Sequence, residues 1–142
     1  MKTVAHILSR KGKSVINVAP AATVFEALKI MADNNIGSVV VMDGKKFCGI
    51  MTERDYCRKI ILRGRTSDIT TVADIMSSEF PSISPQDTID YCMHLFSELN
   101  IRYLPVMQDD QLAGIISIND VVTETILTQD ETISHLQSYI QS

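Results

Sequence analysis

Two seven-residue stretches of this chain carry residue types that suit the binding of a sugar and a phosphate. GIMTERD ends at Asp55 and GIISIND at Asp120, and each stretch has a hydroxyl residue, Thr52 or Ser117, three positions before the aspartate. A carboxylate can accept hydrogen bonds from two adjacent hydroxyl groups at once, which suits the vicinal diol of a ribose. If a helix begins after each hydroxyl residue, its free N–H groups and dipole favour an anion at the same place.

A second interpretation of these stretches needs no ligand. Ser/Thr-x-x-Asp is also a helix capping box, in which the hydroxyl and the carboxylate each accept a hydrogen bond from the other residue's backbone N–H. Capping does not require the preceding Gly-Ile, nor a second copy of the motif. A ligand benefits from both, because Gly49 and Gly114 permit a close backbone approach. Both interpretations stay open at the level of the sequence.

The two stretches belong to a repeat that spans the chain. Gly49 and Gly114 are 65 residues apart, and the same offset aligns further identical residues, namely Pro20 with Pro85, Thr23 with Thr88, Asn35 with Asn100, Ile36 with Ile101 and Val41 with Val106. TVAHIL, near the start, matches TVADIM at an offset of 68. We predict two repeats, residues 1–66 and 67–142. Each is too short to bury a comfortable core alone, so the two should pack together.

Each repeat has the same predicted order of elements. TVFEALKIMADNN and TIDYCMHLFSELN show the apolar spacing of amphipathic helices, and Thr23 with Glu26 forms a capping box at the start of the first. SVVVMDGKKFCGIMT and YLPVMQDDQLAGIIS read as hairpins. A helix follows each hairpin: ERDYCRKIILR in the first repeat, and a longer one from Ile118 or Asn119 toward Ile140 in the second. The predicted class is therefore α/β, with a small three-stranded sheet and helices in each repeat.

Composition narrows the class of protein. The 142 residues include 13 Lys and Arg against 17 Asp and Glu, and the net charge of -4 argues against nonspecific binding to nucleic acid. The chain has no run of eighteen apolar residues, so no membrane span is predicted. Three cysteines without a CxxC pair predict neither a disulfide framework nor a metal site. We expect a cytoplasmic protein.

Motifs of catalysis are not recognisable in the chain. The sequence has no P-loop, no GxSxG, no metal-ligand cluster and no Cys-His pair at a familiar spacing. We therefore predict a non-catalytic protein, with no catalytic residues and no obligatory cofactor.

The repeated block resembles a known family. A G-h-x-S/T-x-x-D motif preceded by NIGSVVVMD or NIRYLPVMQ is similar to the CBS domain, named after cystathionine β-synthase, and the two copies resemble a CBS pair, or Bateman module. The resemblance covers essentially the whole chain. It implies two pseudo-twofold α/β units whose clefts commonly bind adenine nucleotides, here AMP, ADP, ATP or NAD(H), with S-adenosylmethionine as another ligand of the family. It further implies a regulatory module that signals to a partner protein, with a ligand-independent dimeric scaffold as the alternative.

The resemblance also assigns roles to residues of this chain. It implies that Asp55 and Asp120 hold the ribose diol and that Thr52 and Ser117 approach the phosphate. Three residues, Ile16, Gly37 and Ser38, are implied to frame the adenine at the site of Asp120. Their counterparts at the site of Asp55 are Pro81, Arg102 and Tyr103.

The two sites differ in the residues beside the motif. Arg54 precedes Asp55, whereas Asn119 precedes Asp120. Arg54 and Arg102 are the predicted phosphate partners because a guanidinium can bind phosphate oxygens bidentately; a solvated surface charge is the alternative. Tyr103 can contact a base or serve as a core tyrosine. We expect the sites to take different ligands, for example AMP in one and a larger dinucleotide in the other.

The last predicted helix suggests how copies associate. Members of the family commonly form homodimers through their helices. The C-terminal segment carries a surplus of apolar residues for such an interface, namely Val121, Ile126, Ile133, Leu136 and Ile140. A homodimer is therefore predicted.

Overall fold

The structure, a computed structural model, describes residues 2–12 and 14–141, and the side chains of these residues as far as 138. Ile140 of the predicted dimer surface thus lies outside the described side chains. In chain order the elements are α1 (Val4–Lys11), β1 (Asn17–Val18), α2 (Val24–Asp33), β2 (Ser38–Asp43), β3 (Lys46–Thr52), α3 (Glu53–Tyr56), a π-helical segment (Cys57–Ile61), α4 (Val72–Ile75), α5 (Ile89–Leu99), β4 (Tyr103–Gln108), β5 (Gln111–Ser117) and α6 (Ile118–Gln141). The predicted α/β class is confirmed.

The chain forms two compact units that differ in extent from the two sequence repeats. Unit 1 comprises Met1–Lys13 and Pro81–Ser142, and unit 2 comprises Ser14–Phe80. Helix α1 therefore belongs with the elements of the second repeat and α4 with those of the first. The apolar side chains of each helix account for this, because they are buried in the core of the unit that the helix joins. The division at 66/67 remains a prediction about the sequence repeat.

The sheet of unit 2 has three strands in the order β1-β2-β3. β1 runs parallel to β2, and β2 pairs antiparallel with β3. Helix α2 covers this sheet with Val24, Ala27 and Met31, all of them buried in the same core cluster as Val39 and Val41 of β2. The three-stranded sheet predicted for the first repeat is confirmed.

The sheet of unit 1 has two strands, β4 and β5, where three were predicted. In place of a third strand, the segment from Pro81 to Pro85 runs beside β4, and its Ile83 carbonyl accepts a hydrogen bond of 2.8 Å from the N–H of Met107. Proline has no N–H to donate, so a five-residue segment with a proline at each end is poorly suited to a full strand ladder.

The two hairpins have equivalent registers. Ser38 lies opposite Thr52 in unit 2, and Tyr103 lies opposite Ser117 in unit 1. Each hairpin has a register shift directly after the residue that pairs with the motif glycine. In β2 the shift follows Val41, which lies opposite Gly49, and in β4 it follows Val106, which lies opposite Gly114. The hairpins predicted from the sequence are confirmed, and they bring the first residue of one strand beside the last residue of the next.

The helices follow the predictions with one exception. Thr23 caps α2 in the predicted capping box with Glu26, and α6 begins at Ile118 as expected. The helix predicted over ERDYCRKIILR is α-helical only as far as Tyr56 and then continues as the π-helical segment. Within the described part of the chain, none of the helices is both long and apolar enough to span a membrane.

Candidate functional site

The motif of unit 2 lies where β3 ends and α3 begins. The N–H of Thr52 donates to Asp55 Oδ2 at 3.0 Å, and the N–H of Asp55 donates to Thr52 Oγ1 at 3.1 Å. The chain at the start of β2 lies against this junction, because the Gly37 carbonyl accepts a hydrogen bond of 3.1 Å from the N–H of Glu53. The capping-box interpretation of this motif is therefore realised in the structure.

Asp55 has partners beyond its capping box. Ser77 Oγ donates to Asp55 Oδ1 at 3.3 Å, and Lys59 Nζ lies 3.2 Å from the same oxygen. The Lys59 ammonium also donates to the carbonyl of Ile75 at 2.7 Å. Both carboxylate oxygens are thus engaged, and Asp55 is only 7% exposed. A ligand would have to replace some of these contacts to reach this carboxylate.

The motif of unit 1 forms the same box at the start of α6. The N–H of Ser117 donates to Asp120 Oδ2 at 2.8 Å, and the N–H of Asp120 donates to Ser117 Oγ at 3.1 Å. The Arg102 carbonyl accepts a hydrogen bond of 2.9 Å from the N–H of Ile118, as Gly37 does in unit 2. The two motifs are therefore equivalent in their backbone geometry.

The cation at Asp120 comes from α1. Lys11 Nζ lies 2.9 Å from Asp120 Oδ2 and donates to the carbonyl of Ile115 at 3.0 Å. The side chain of Asp120 is 22% exposed, against 10% for that of Asp55. Among the described residues, all hydrogen-bond and ion-pair partners of the Asp120 carboxylate contact Oδ2. Within the described part of the chain Oδ1 of Asp120 therefore has no such partner, whereas both oxygens of Asp55 are engaged.

The position four residues after each motif aspartate has opposite charge in the two repeats. In unit 2 it is Lys59, and at the offset of 65 it becomes Glu124. Glu124 is only 1% exposed, and it pairs with Arg10 Nε at 3.2 Å and with Lys2 Nζ at 3.6 Å. Because an acid replaces the local lysine, the cation at Asp120 has to come from another element.

The two motif glycines contact different kinds of neighbour. A Cβ atom added to Gly49 would lie 2.5 Å from the backbone oxygen of Ser77, which is held to β3 by hydrogen bonds in both directions with Ile50. A Cβ atom added to Gly114 would lie 2.6 Å from a methyl group of Leu8. Gly49 therefore allows two backbones to approach, whereas Gly114 makes room for a side chain.

Other predicted site residues lie around these motifs. Within unit 2, Ile16 precedes β1 and its carbonyl accepts from the N–H of Val40, while Arg54 lies half-buried in α3. Within unit 1, Arg102 and Asn119 are exposed on either side of the strand-to-helix junction.

The structure thus brings together one group of predicted residues in each unit. In unit 2 these are Gly37, Ser38, Thr52, Arg54 and Asp55, and in unit 1 they are Arg102, Tyr103, Ser117, Asn119 and Asp120. The predicted adenine-framing sets, with Ile16, Gly37 and Ser38 at Asp120 and with Pro81, Arg102 and Tyr103 at Asp55, join residues of different units and stay a prediction.

The cations at both aspartates were not predicted from the sequence. Lys59 lies four residues after Asp55 in a helical region, and this spacing is a recognisable signal for an ion pair. Lys11 is 109 residues from Asp120 and Ser77 is 22 residues from Asp55, so no local pattern indicates either contact. The reversal from Lys59 to Glu124 was the one trace in the sequence that the two sites obtain their cations differently.

Burial makes one of the cysteines unreactive. Cys92 is buried in the core of unit 1, and this burial, with a smaller effect from the charge of Asp87, raises the pKa of its thiol to about 11. The thiol therefore stays protonated at neutral pH and is a poor nucleophile. Cys57 is exposed and Cys48 is half-buried.

Comparison with protein families assigns this arrangement. Residues 4–62 and 72–126 match the family model of the CBS domain, in two copies. The chain belongs to the CBS domain family. It is a CBS pair, the regulatory type of module that the repeated motif indicated, and its small sheets and helices are those of solved CBS pairs.

Three proteins illustrate how similar this CBS pair is to known members of the family. The mitochondrial CBS domain-containing protein CBSX3 of Arabidopsis thaliana is 36% identical over 148 residues, covering 98% of this chain and 72% of the relative. The CBS-domain containing protein ATU1752 from Agrobacterium tumefaciens is 34% identical, with a TM-score of 0.82 over 87% of this chain and 99% of the other. The CBS domain pair of protein MJ0100, solved with 5′-methylthioadenosine and S-adenosyl-L-methionine, is 25% identical, with a TM-score of 0.76 over 87% and 99%.

Proposed function

We propose that this CBS pair is a non-catalytic sensor of adenine nucleotides, with binding sites at its two strand-to-helix junctions. The observation that carries the proposal is the repeated pairing of a hydroxyl residue with an aspartate, Thr52 with Asp55 and Ser117 with Asp120, at equivalent positions of both units. Adenosine-containing ligands bound to the related MJ0100 pair support the class of ligand. AMP, ADP, ATP and NAD(H) are the proposed candidates.

The site of Asp120 is proposed as the stronger of the two. Oδ1 of Asp120 can accept from a ribose hydroxyl without the loss of a described contact, and α6 provides a long helix whose dipole favours a phosphate at its start. At Asp55, a ribose would have to displace Ser77 or Lys59 from Oδ1. Exchanging internal hydrogen bonds for ligand hydrogen bonds yields little net free energy, so affinity at this site should be lower.

The proposed consequence of binding is regulation of a partner protein. A ligand that binds one conformation better than another shifts the equilibrium by its differential affinity, which in allosteric proteins is typically about 1–3 kcal/mol. No nucleic acid or membrane is proposed as the partner. We expect the partner protein to bind this CBS pair with an affinity that changes when the nucleotide is present.

Titration calorimetry and thermal unfolding with AMP, ATP, NAD and S-adenosylmethionine test the sensor. A ligand present at a hundred times its Kd stabilises the folded protein by about 2.7 kcal/mol, so binding must raise the Tm. We expect Asp120→Asn to weaken the tighter binding event at least tenfold and Asp55→Asn to change it less than threefold. Asp90→Asn, an exposed acid in the first turn of α5, is the matched control.

The sensor proposal fails if none of the four ligands produces heat or raises the Tm at millimolar concentration. It also fails in its assignment of sites if Asp120→Asn binds as the unchanged protein does. The first result would leave both motifs as capping boxes alone, whereas the second would do so only for the motif of Asp120.

A dimeric scaffold is a second candidate, favoured by the surface of α6. Four of the described side chains of this helix are large, apolar and exposed, namely Val122, Ile126, Ile133 and Leu136, with exposures between 40% and 54%. Val121, which was predicted to belong to this surface, is instead buried in the core of unit 1. Ile126 and Ile133 are one heptad apart and occupy the same heptad position. Val122 and Leu136 share the position three residues later in the heptad, so the two sets alternate like the a and d positions of a coiled coil. We propose a second copy of this chain as the partner of that stripe.

The mass of the protein in solution tests the scaffold. We expect light scattering to give about twice the chain mass of 15.8 kDa, and the double variant Ile133→Gln with Leu136→Gln to shift the protein toward monomer. Leu62→Gln removes an even more exposed leucine, in unit 2, and should leave the mass unchanged. A protein that is monomeric at every concentration, or a double variant that dimerises like the original, would rule this stripe out.

A further inference from the structure

Lys11 is placed at the Asp120 box with part of its hydrogen-bonding capacity unused. Its ammonium contacts Asp120 Oδ2 at 2.9 Å and the Ile115 carbonyl at 3.0 Å. An ammonium group has three donors, so one remains after these two contacts. The side chain is 38% exposed, which leaves the ammonium accessible to a ligand at the box.

The position of Lys11 in the chain gives its side chain freedom that Lys59 lacks. Lys59 lies in the same helical region as its partner Asp55, and its second contact fixes it to the carbonyl of Ile75 in α4. Lys11 is the last residue of α1, followed by Gly12 with a φ of 85°, and it reaches Asp120 from outside α6. The four-carbon stem of a lysine at a helix end can turn toward a ligand while the helix stays in place.

Two other cations of unit 1, Arg10 and Lys2, are already engaged at a different carboxylate. Arg10 and Lys2 contact the buried carboxylate of Glu124, and Lys2 also lies 3.6 Å from Glu131. Moving either one would leave a buried charge with less compensation, which is costly. Lys11 is bound instead to a partly exposed aspartate that would itself gain hydrogen bonds from a ribose.

We propose that Lys11 binds a phosphate group of the ligand at Asp120, so that this site selects phosphorylated adenine nucleotides over uncharged adenosine and over the sulfonium cation of S-adenosylmethionine. The inference rests on the proposed function and specifies its ligand class. Asp120 accepts from the ribose, and the ammonium of Lys11 donates to a phosphate oxygen.

The selectivity is visible in the ratio of affinities for AMP and adenosine, measured by calorimetry at fixed salt. We expect the unchanged protein to bind AMP at least tenfold more tightly than adenosine. Lys11→Met should lower the affinity for AMP about tenfold and leave that for adenosine within twofold, and Lys11→Arg should recover most of the loss. Lys29→Met removes an exposed lysine of α2 and controls for the change in net charge.

Three results would overturn the inference. One is a Lys11→Met protein with an unchanged ratio of AMP to adenosine affinity, and another is an equal loss for both ligands, since Lys11 would then only support the box. Both leave the proposed function intact. The third is an unchanged protein that binds none of AMP, ATP, NAD, adenosine and S-adenosylmethionine, which overturns the proposed function together with the role of Lys11.

Discussion

Replacing Gly49 with alanine is expected to destabilise the protein by about 3 kcal/mol or more, whereas Gly114→Ala should cost only about 1 kcal/mol. The two positions are equivalent in the repeat, but the added methyl group meets different atoms. At Gly49 it would lie 2.5 Å from the Ser77 carbonyl oxygen, which is fixed by paired backbone hydrogen bonds to Ile50. At Gly114 it meets the end of the Leu8 side chain, which can change rotamer.

Urea unfolding of the two variants and the original measures this difference. The prediction requires a clear gap in the free energy of unfolding between Gly49→Ala and Gly114→Ala. A second expectation concerns ligand binding. Displacement of Ser77 should disturb only the site of Asp55, because Ser77 contacts that aspartate, so Gly49→Ala should leave binding at Asp120 unchanged. Equal destabilisation by the two substitutions would contradict the prediction that the Ser77 backbone yields less readily than the Leu8 side chain.

Replacing Arg10 with methionine is expected to lower the free energy of unfolding by about 2–3 kcal/mol, because it removes the closer of the cations at Glu124. Arg10 contacts both carboxylate oxygens, Nε to Oε2 at 3.2 Å and an amino nitrogen to Oε1 at 3.3 Å. Lys2 lies farther away, at 3.6 Å from Oε1. A carboxylate that is 1% exposed would then retain only this weaker compensation.

The companion variant Arg10→Met with Glu124→Met separates loss of the ion pair from loss of the arginine side chain. Apolar residues of similar volume often replace a buried ion pair at little cost, so the double variant should regain most of the lost stability. Arg58→Met, an exposed arginine of unit 2, is the control and should stay within about 0.5 kcal/mol of the original. A single Arg10→Met variant as stable as this control would contradict the prediction.

Features encoded by short spacings were predictable from the sequence. The capping box of Thr23 with Glu26, the hairpins and the start of α6 all follow from patterns within about ten residues, and all are observed. The same is true of the boxes at Asp55 and Asp120, whose geometry was one of two interpretations of the motif.

Features that depend on distant residues were not predictable. The contact of Lys11 with Asp120 joins positions 109 residues apart, and the burial of Glu124 depends on cations at the other end of the chain. A glutamate in an amphipathic helix has no local mark that distinguishes a buried position from a solvated one. The missing third strand of unit 1 had a local cause in Pro81 and Pro85, but the similarity of the two repeats concealed it.

The difference between the two sites follows from these long-range contacts. Their motifs have equivalent backbone geometry, so the difference in ligand binding that we propose depends on the side chains that surround each carboxylate. Asp55 is enclosed by Ser77 and Lys59 within its unit, and Asp120 is partly open beside Lys11. The predicted contrast of Arg54 with Asn119 thus becomes one part of a larger asymmetry in charge and access.

The membership of α1 in unit 1 has a consequence for the order of folding. Unit 2 is continuous in the chain, so all of its core residues are present once Phe80 has been synthesised, whereas unit 1 is interrupted by the whole of unit 2. Helix α1 is made first, but the strands that bury it come more than eighty residues later. The residues between α1 and these strands form a long loop, and the entropic cost of closing it is smaller once unit 2 has become compact. Unit 2 is therefore an insertion in the sequence of unit 1, and its folding helps to bring the two separated segments of unit 1 together.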